Sequence, residues 1–484
     1  MNYIVVGVSM LFQSWQYLLL LIGAIATIFL VKNSTVKKIV ILLLSMFFYA
    51  YGAGWQSILF VLVILGTYFA GLLVEKYKSK ALLSLVLILL FSPLILYKYV
   101  PFILSQILTI DISSYKNMFI LPIGISFYTF QAVGYVVDVY KGATKVERNL
   151  LNLSCFISFF PQLVAGPIER SNNIMEQIRE FKKPDYETMA NGFRHIVLGL
   201  CLKLLIAETM ADFVNPVYRN LSGRGGLAII VAMLCFGVQI YCDFNGYTQI
   251  AMGSANLLGI KLMQNFNHPY TAKSVSNFWQ RWHISLTSWF KDYVYIPLGG
   301  NRKGKARTAL NSVITFVVSG IWHGANWTFP IWGLVNGVTV AIEKTYIKRI
   351  SKNKILSACY ACLSFLLVNL FLVLFRANSI EDALLCYKLI FTETIPQMLS
   401  MTSVSGIMNF LLKNGWSQSS FLPMLISIVI YVWYEYGFGK NRRLENYLFS
   451  EKTGVRWITY FILILATLYF GKTLEQSAFV YFRF

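Results

Sequence analysis

The sequence predicts an all-α polytopic membrane protein, on three observations. Of the 484 residues, 57% are hydrophobic and only 13% charged, whereas a soluble domain is nearer half apolar and a quarter charged. Apolar runs close to the ~20 residues that cross a hydrocarbon core recur from one end to the other. Lysines and arginines gather in the short loops between those runs, as they do on the cytoplasmic side of membrane proteins. No polar block is large enough to fold alone, so residues 1–484 read as a single membrane domain.

Taken in order, the expected spans are residues 13–31, 39–54, 57–74, 81–97, 117–138, 150–166, 192–214, 226–248, 309–343 as a hairpin, 355–375, 421–438 and 456–473. Several are short and read as tilted, re-entrant or interfacial, which leaves about 11 true crossings. The N-terminus has neither a basic leader nor a small-residue cleavage site, so residues 13–31 read as a first membrane helix and not a removable signal. Orientation follows from the basic clusters Lys32/Lys37/Lys38, Lys76/Lys78/Lys80, Lys303/Lys305/Arg307, Lys344/Lys348/Arg349/Lys352/Lys354 and Lys440/Arg442/Arg443. With all of them cytoplasmic, the N-terminus and the tail Thr473 to Phe484 are expected outside the cell.

The middle of the chain is less lipid-like. Residues 139–300 contain half-length apolar segments that do not thread in one way. Residues 169–187 are polar and charged, as in an amphipathic helix at the cytoplasmic interface. Residues 261–307 mix prolines, tryptophans, polar and basic groups. Such backbone survives at membrane depth only when buried in protein or lining a wet cavity, so a funnel is expected beside it.

The formal charge is 42 − 21 = +21. Positive-inside loops account for it, with attraction to anionic membrane lipids as a weaker addition, and no nucleic-acid module or exposed basic face accompanies it. The seven cysteines lie in or beside apolar runs. Cys359 and Cys362 form a C-x-x-C inside an expected membrane helix, with no second Cys or His pair to complete a zinc site, so they read as small apolar residues.

Chemistry centres on the four histidines, His195, His268, His283 and His323. His323 sits in an apolar run between Gly320 and Gly324, where an ionisable side chain is costly and points to function, and where the glycines allow close approach of another backbone. On a helix, Phe278, Trp282, Leu286, Trp289 and Tyr293 share one face, with His283 at its edge, and Arg281 or Asp292 is near enough in sequence to orient it. For each histidine the alternative is an imidazole hydrogen-bonded to a neighbouring helix, and on the residues alone that alternative is preferred for His195, His268 and His283. No metal site is expected, because compact His spacing and clustered Cys or acidic ligands are missing. No G-x-S-x-G elbow is present, and Gly299 to Lys305 is Gly- and Lys-rich without fitting a phosphate-binding loop.

Together these residues carry a resemblance. Asn265-Phe266-Asn267-His268-Pro269-Tyr270, Asn277-Phe278-Trp279-Gln280-Arg281-Trp282-His283, Asp292-Tyr293-Val294-Tyr295-Ile296-Pro297-Leu298-Gly299-Gly300-Asn301-Arg302 and Ser319-Gly320-Ile321-Trp322-His323-Gly324 resemble the membrane-bound O-acyltransferase family. So do Phe127-Tyr128-Thr129-Phe130-Gln131 and the run from Phe159 to Ile168. The match is best to the bacterial alginate O-acetylase branch, with its peptidoglycan- and cellulose-acetylating relatives. The core motifs lie within residues 120–345.

The resemblance implies a ring of helices around a thin centre with a central funnel, in a bacterial cytoplasmic (inner) membrane. It implies His323 as the main catalytic residue and His283 as its partner, with Asn277, Arg281, Trp282, Asp292, Tyr295 and Trp322 supporting or lining the site. It implies no bound cofactor, acetyl-CoA as cytoplasmic donor substrate, an extracytoplasmic acyltransferase- or esterase-like partner protein, and a polysaccharide acceptor. The aromatic tail 473–484 resembles a terminal motif in which a tyrosine, here Tyr481, is a candidate acyl acceptor; the other reading is an interfacial aromatic belt. The competing functions are D-alanyl transfer to teichoic acid and, in a different class, a polysaccharide or lipid transporter. A transporter is expected to have internal pseudo-symmetry, which the sequence lacks.

Overall fold

The computed structural model describes residues 10–164, 166–346, 353–438 and 443–472, and every regular element among them is helical. The tail 473–484, with Tyr481, and the basic residues Lys348, Arg349, Lys352, Lys440 and Arg442 lie outside the described residues. The principal helices are α1 (Trp15–Leu30), α2 (Ser34–Ala53), α3 (Ser57–Tyr77), α4 (Lys80–Leu94), α5 (Ile125–Lys141), α6 (Leu150–Ser158), α7 (Ser171–Glu180), α8 (Tyr186–Leu200), α9 (Glu208–Arg219) and α10 (Gly226–Leu257). They continue as α11 (Ile284–Phe290), α12 (Gly304–His323), α13 (Thr328–Tyr346), α14 (Lys354–Arg376), α15 (Ile380–Leu399), α16 (Phe421–Glu435) and α17 (Thr453–Phe470). Five helical runs among the described residues are long and apolar enough to cross a membrane: Ser34–Tyr77, Lys80–Ile107, Gly226–Leu257, Lys354–Arg376 and Thr453–Phe470. The protein is a multi-pass membrane protein.

The starts of these helices are set locally. Asn33, Ser79, Asn149, Asp185 and Asn353 each accept backbone N–H groups of the first turn, which satisfies donors that a helix leaves unpaired. α7 is amphipathic, burying Ile174, Met175 and Ile178 while Glu176 and Arg179 face out. The buried ammonium of Lys37 donates to Phe181 O at 3.3 Å, just beyond α7, and that of Lys38 to Asn152 Oδ1 on α6 at 2.9 Å.

α10 is the central post. It is 32 residues long, about 48 Å at 1.5 Å per residue, and most of it is buried. Its polar residues find partners inside the protein, as burial demands. Asp243 pairs with Lys203 at 2.5 Å, Asn245 donates to Tyr434 Oη at 2.7 Å, and Gln249 Oε1 meets His195 Nδ1 at 2.6 Å. Glycines let α8 approach α10. A Cβ on Gly199 would stand 2.6 Å from Gly246 O, and one on Gly253 would stand 2.5 Å from Gly192 O, closer than any real side chain tolerates. This is the small-residue packing of membrane helices.

Several sequence expectations are corrected. The span expected at 117–138 begins only at Ile125, after a 3-10 turn at Ser113–Phe119. That expected at 150–166 breaks at Phe159 into α6 and a short Phe160–Leu163 helix, because Pro161 suits a first turn and cannot continue the preceding helix. No membrane span was expected between residues 375 and 421, where the helices α15 and Val404–Lys413 lie. α15 carries Glu381, Asp382, Lys388 and Glu393, too many charges for a hydropathy criterion. The 309–343 hairpin is present as α12 and α13.

Candidate active site

His323 is the last residue of α12. Close backbone packing positions that helix against α13: a Cβ on Gly320 would collide with the Phe329 carbonyl, and one on Gly333 with the Phe316 carbonyl. After His323 the chain leaves in extended conformation, with Gly324 at φ −159° and ψ 152°. No capping turn therefore absorbs the last carbonyls of α12. They are taken up from α4's continuation instead: Lys98 Nζ donates to Trp322 O at 2.7 Å and His323 O at 2.9 Å, and Tyr99 Oη donates to Ile321 O at 2.9 Å. The His323 ring is enclosed by Trp322, Trp332 and Phe375, with centroids 4.9, 5.3 and 5.2 Å away.

His283 is held in another way. A helix over 278–293 was expected, but the segment is broken. Val275–Trp279 is a short helix, α11 starts at Ile284, and His283 between them has φ +44° and ψ 55°. A non-glycine residue in the left-handed region is uncommon and marks a position the surroundings over-determine. What determines it is the strand-like crossing of residues 265–267. Asn267 N donates to Arg281 O at 3.0 Å, and Ile284 N donates to Asn265 O at 2.9 Å, so backbone groups that would continue a helix are paired elsewhere. The carboxylate of Glu343 on α13 accepts from Val275 N and Ser276 N at 2.7 and 2.6 Å, and Trp279 Nε1 donates to Asn336 Oδ1 at 3.1 Å. This irregular backbone is buried in protein, the setting in which a membrane protein can hold it.

Asn265 determines the tautomer of His283. Its Oδ1 accepts from the Ser285 backbone N–H at 3.2 Å and from Ser285 Oγ at 2.9 Å, and lies 3.2 Å from His283 Nδ1. A backbone N–H can only donate, so the atom is the amide oxygen, and Nδ1 of His283 must carry the proton. Neutral His283 thus offers a lone pair at Nε2, and it donates from Nε2 only as imidazolium. The expected orienting groups are engaged elsewhere: Asp292 pairs with Arg170 at 2.9 Å, and Arg281 donates to Asn277 Oδ1 and Asn267 O, both at 3.2 Å.

The fold brings the two histidines together. His283 and His323 line one cavity with about 440 Å³ of empty volume, walled by Trp279, Trp282, Phe290 and Phe316. A second, much narrower space lies across His323, between Trp332, Phe375 and Asn336, and shares Trp279 and Trp282. A third and more polar cavity, of about 620 Å³, lies at the hairpin tip among Gln106, Asn326, Trp327 and Glu381. Three chain segments that start at basic clusters, at Lys80, Gly304 and Lys354, end around this third cavity. His323 therefore stands near the end of the molecule opposite those clusters.

Of the other expected site residues, Trp282 lines both inner cavities. Trp322 packs beside His323, buried against Phe127 and Phe130. Asn277, Arg281, Asp292 and Tyr295 are in none of the three cavity walls, and Tyr295 lies under the Lys344 ammonium, 5.1 Å from its ring centre. His195 bonds Gln249, and His268 bridges Glu435 and Glu445 at 3.4 and 3.1 Å, which are structural roles. Sequence reasoning missed Asn265, Lys98 and Tyr99. Asn265 was visible as a polar residue in the run that carries the resemblance, and Lys98 as a cation within an apolar run. Among the described residues no group of three or more His, Cys, Asp or Glu could hold a metal ion.

Residues 43–378 match the model of MBOAT, the membrane-bound O-acyltransferase family. The chain belongs to that family. It is 33% identical over 397 residues to a probable alginate O-acetylase of Azotobacter vinelandii, covering 79% of this chain and 78% of the relative. It is 34% identical over 393 residues to a peptidoglycan O-acetyltransferase of Helicobacter pylori, covering 74% of each. Its similarity to a teichoic acid D-alanyltransferase of Streptococcus thermophilus is 30% over 240 residues, 47% of this chain and 58% of the relative. The acyltransferase is thus an enzyme of the O-acetyltransferase type, and the region matched to the family model contains His283, His323, Asn265 and Lys98.

Proposed function

We propose that this acyltransferase carries acetyl groups from cytoplasmic acetyl-CoA across a bacterial cytoplasmic membrane for O-acetylation of an extracellular or cell-wall polysaccharide. The observation that carries the reading is the meeting of His323 and His283 in one aromatic cavity within a membrane protein. The basic clusters face the cytoplasm in this reading, about 11 helices ring a central funnel, and both termini are outside. The acetyl thioester enters from the basic side, and the third cavity opens toward an extracytoplasmic partner protein and the polymer.

His323 acts as general base, the role for an imidazole within reach of a reacting hydroxyl. The acceptor hydroxyl gives its proton to His323, its oxygen bonds the acetyl carbon, and the C–S bond breaks. The thiolate then takes up the proton, leaving an acetyl ester and the CoA thiol. His283 can hydrogen-bond the developing oxyanion only with a proton added at Nε2, a state that its burial opposes. Asn265 accepts from Nδ1 in either charge state, so the ring keeps one orientation. Tyr481 in the tail is a further acceptor candidate, dividing one long transfer into two. The fuller similarity to acetylases than to the D-alanyltransferase supports acetyl as the group carried.

The test is purified protein in vesicles supplied with labelled acetyl-CoA and an acceptor polysaccharide. Thioester loss that depends on His323, with label on the polymer, is the expected result. An intact thioester beside a transported polymer would replace the reading with a transporter. Tyr481→Phe keeps the ring and removes the hydroxyl, so label transfer at the parental rate would make the tail an anchor.

A further inference from the structure

We propose that Lys98 is a positioning residue for His323, locking the last turn of α12 so that the imidazole faces the cavity it shares with His283. The inference rests on the catalytic reading of His323.

The last four carbonyls of an α-helix have no partner within it, and Trp322 and His323 are buried, so their carbonyls need donors from the protein. α12 ends at His323 without a capping turn. The donors come from two consecutive residues of another segment, Lys98 to Trp322 O and His323 O, and Tyr99 to Ile321 O. They can act together because Ile95–Tyr99 is a π-helical turn, a local widening that often marks a functional position.

Lys98 is only 4% exposed. Among the described residues no carboxylate stands within ion-pair distance of it. The usual way to keep a cation inside a membrane protein is a carboxylate partner. Here the compensating charge is the negative end of α12 itself, where a cation is favoured, and the Nζ also lies 5.9 Å from the centre of the Trp322 ring. The ammonium thus joins α4's continuation to the residue that carries the base and to the tryptophan packed on it. Aromatic rings around His323 restrict its side chain, and Lys98 donates to its carbonyl oxygen.

The test is turnover and acetyl-CoA KM of Lys98→Met, Lys98→Arg and Tyr99→Phe, with His323→Ala in the same preparation. Methionine keeps the length and apolar stem and removes every donor. Misplacing a catalytic group by about 1 Å can cost about 10²-fold, so Lys98→Met is expected to lower turnover by that order with KM changed less than about threefold. Lys98→Arg, which restores donors, is expected to recover part of it. If Lys98→Met does not fold, Tyr99→Phe, which deletes one oxygen at the same helix end, decides: a several-fold lower turnover at parental KM supports the proposal. Parental turnover in Lys98→Met, or in Tyr99→Phe where the former is not recovered, overturns it, as does a loss that appears wholly in KM. Activity retained in His323→Ala would instead remove the catalytic reading on which it rests.

Discussion

His323 and His283 line one cavity but belong to two kinds of chain. His323 ends a regular 20-residue helix, and its location follows from how far that helix runs from its basic start and how closely α13 lies against it. His283 stands in a break, in a left-handed conformation, and its location follows from pairing with residues 265–267, which come from a different part of the fold. The first region owes its geometry to repeated local structure, the second to particular long-range hydrogen bonds. The comparison teaches that a helix end can carry an imidazole to a buried cavity where another segment supplies donors that the end lacks. Its partner needs an irregular segment to reach the same cavity from the side.

The comparison breaks most directly at His323. His323→Ala is expected to abolish polymer acetylation in a protein that still inserts; loss of general-base action alone accounts for about 10²–10⁴-fold. Label transfer from acetyl-CoA in vesicles measures it, and near-normal transfer by a well-inserted variant would remove the base from α12. His283→Ala follows, with a loss of about 10²–10³-fold, the range for deleting one donor to a developing oxyanion. A change below a few-fold in the same assay would return His283 to a structural role.

Asn265→Leu sharpens the contrast, because it removes the long-range acceptor and leaves both histidines in the chain. A smaller loss of about 10–10²-fold is expected, by analogy with groups that orient metal-bound histidines, and Asn265→Asp, which keeps an acceptor, is expected to retain more turnover. Equal turnover of Asn265→Leu and the parent would mean that the break holds His283 without it. For the helical region the matching change is Gly320→Ala. Its Cβ would collide with the Phe329 carbonyl of α13, so it is expected to destabilise the hairpin by about 1–3 kcal/mol, read as a lower unfolding temperature in detergent. An unchanged unfolding temperature would show that α12 and α13 can separate at no cost.

Much of this was legible in the residues themselves. The composition requires lipid as a solvent, and α10, α14 and the hairpin α12–α13 follow from apolar runs of membrane length. His323 stood out because an ionisable group in such a run is costly wherever the helix packs. Those readings depend on local properties that each segment carries with it.

Tertiary structure decided the rest. Periodicity placed His283 on the edge of a continuous aromatic helix, but the backbone groups of 281 and 284 are paired with residues 265 and 267, and periodicity within a segment is blind to such pairing. Arg281 and Asp292 were near His283 in sequence, yet Asn265, 18 positions away, is the residue that meets it. Lys98 falls just beyond the expected span 81–97, and its partner, the carbonyl of His323, is 225 positions distant. Hydropathy and spacing record what each segment prefers in lipid or water, whereas which donor reaches which acceptor depends on helices that meet only in the folded chain.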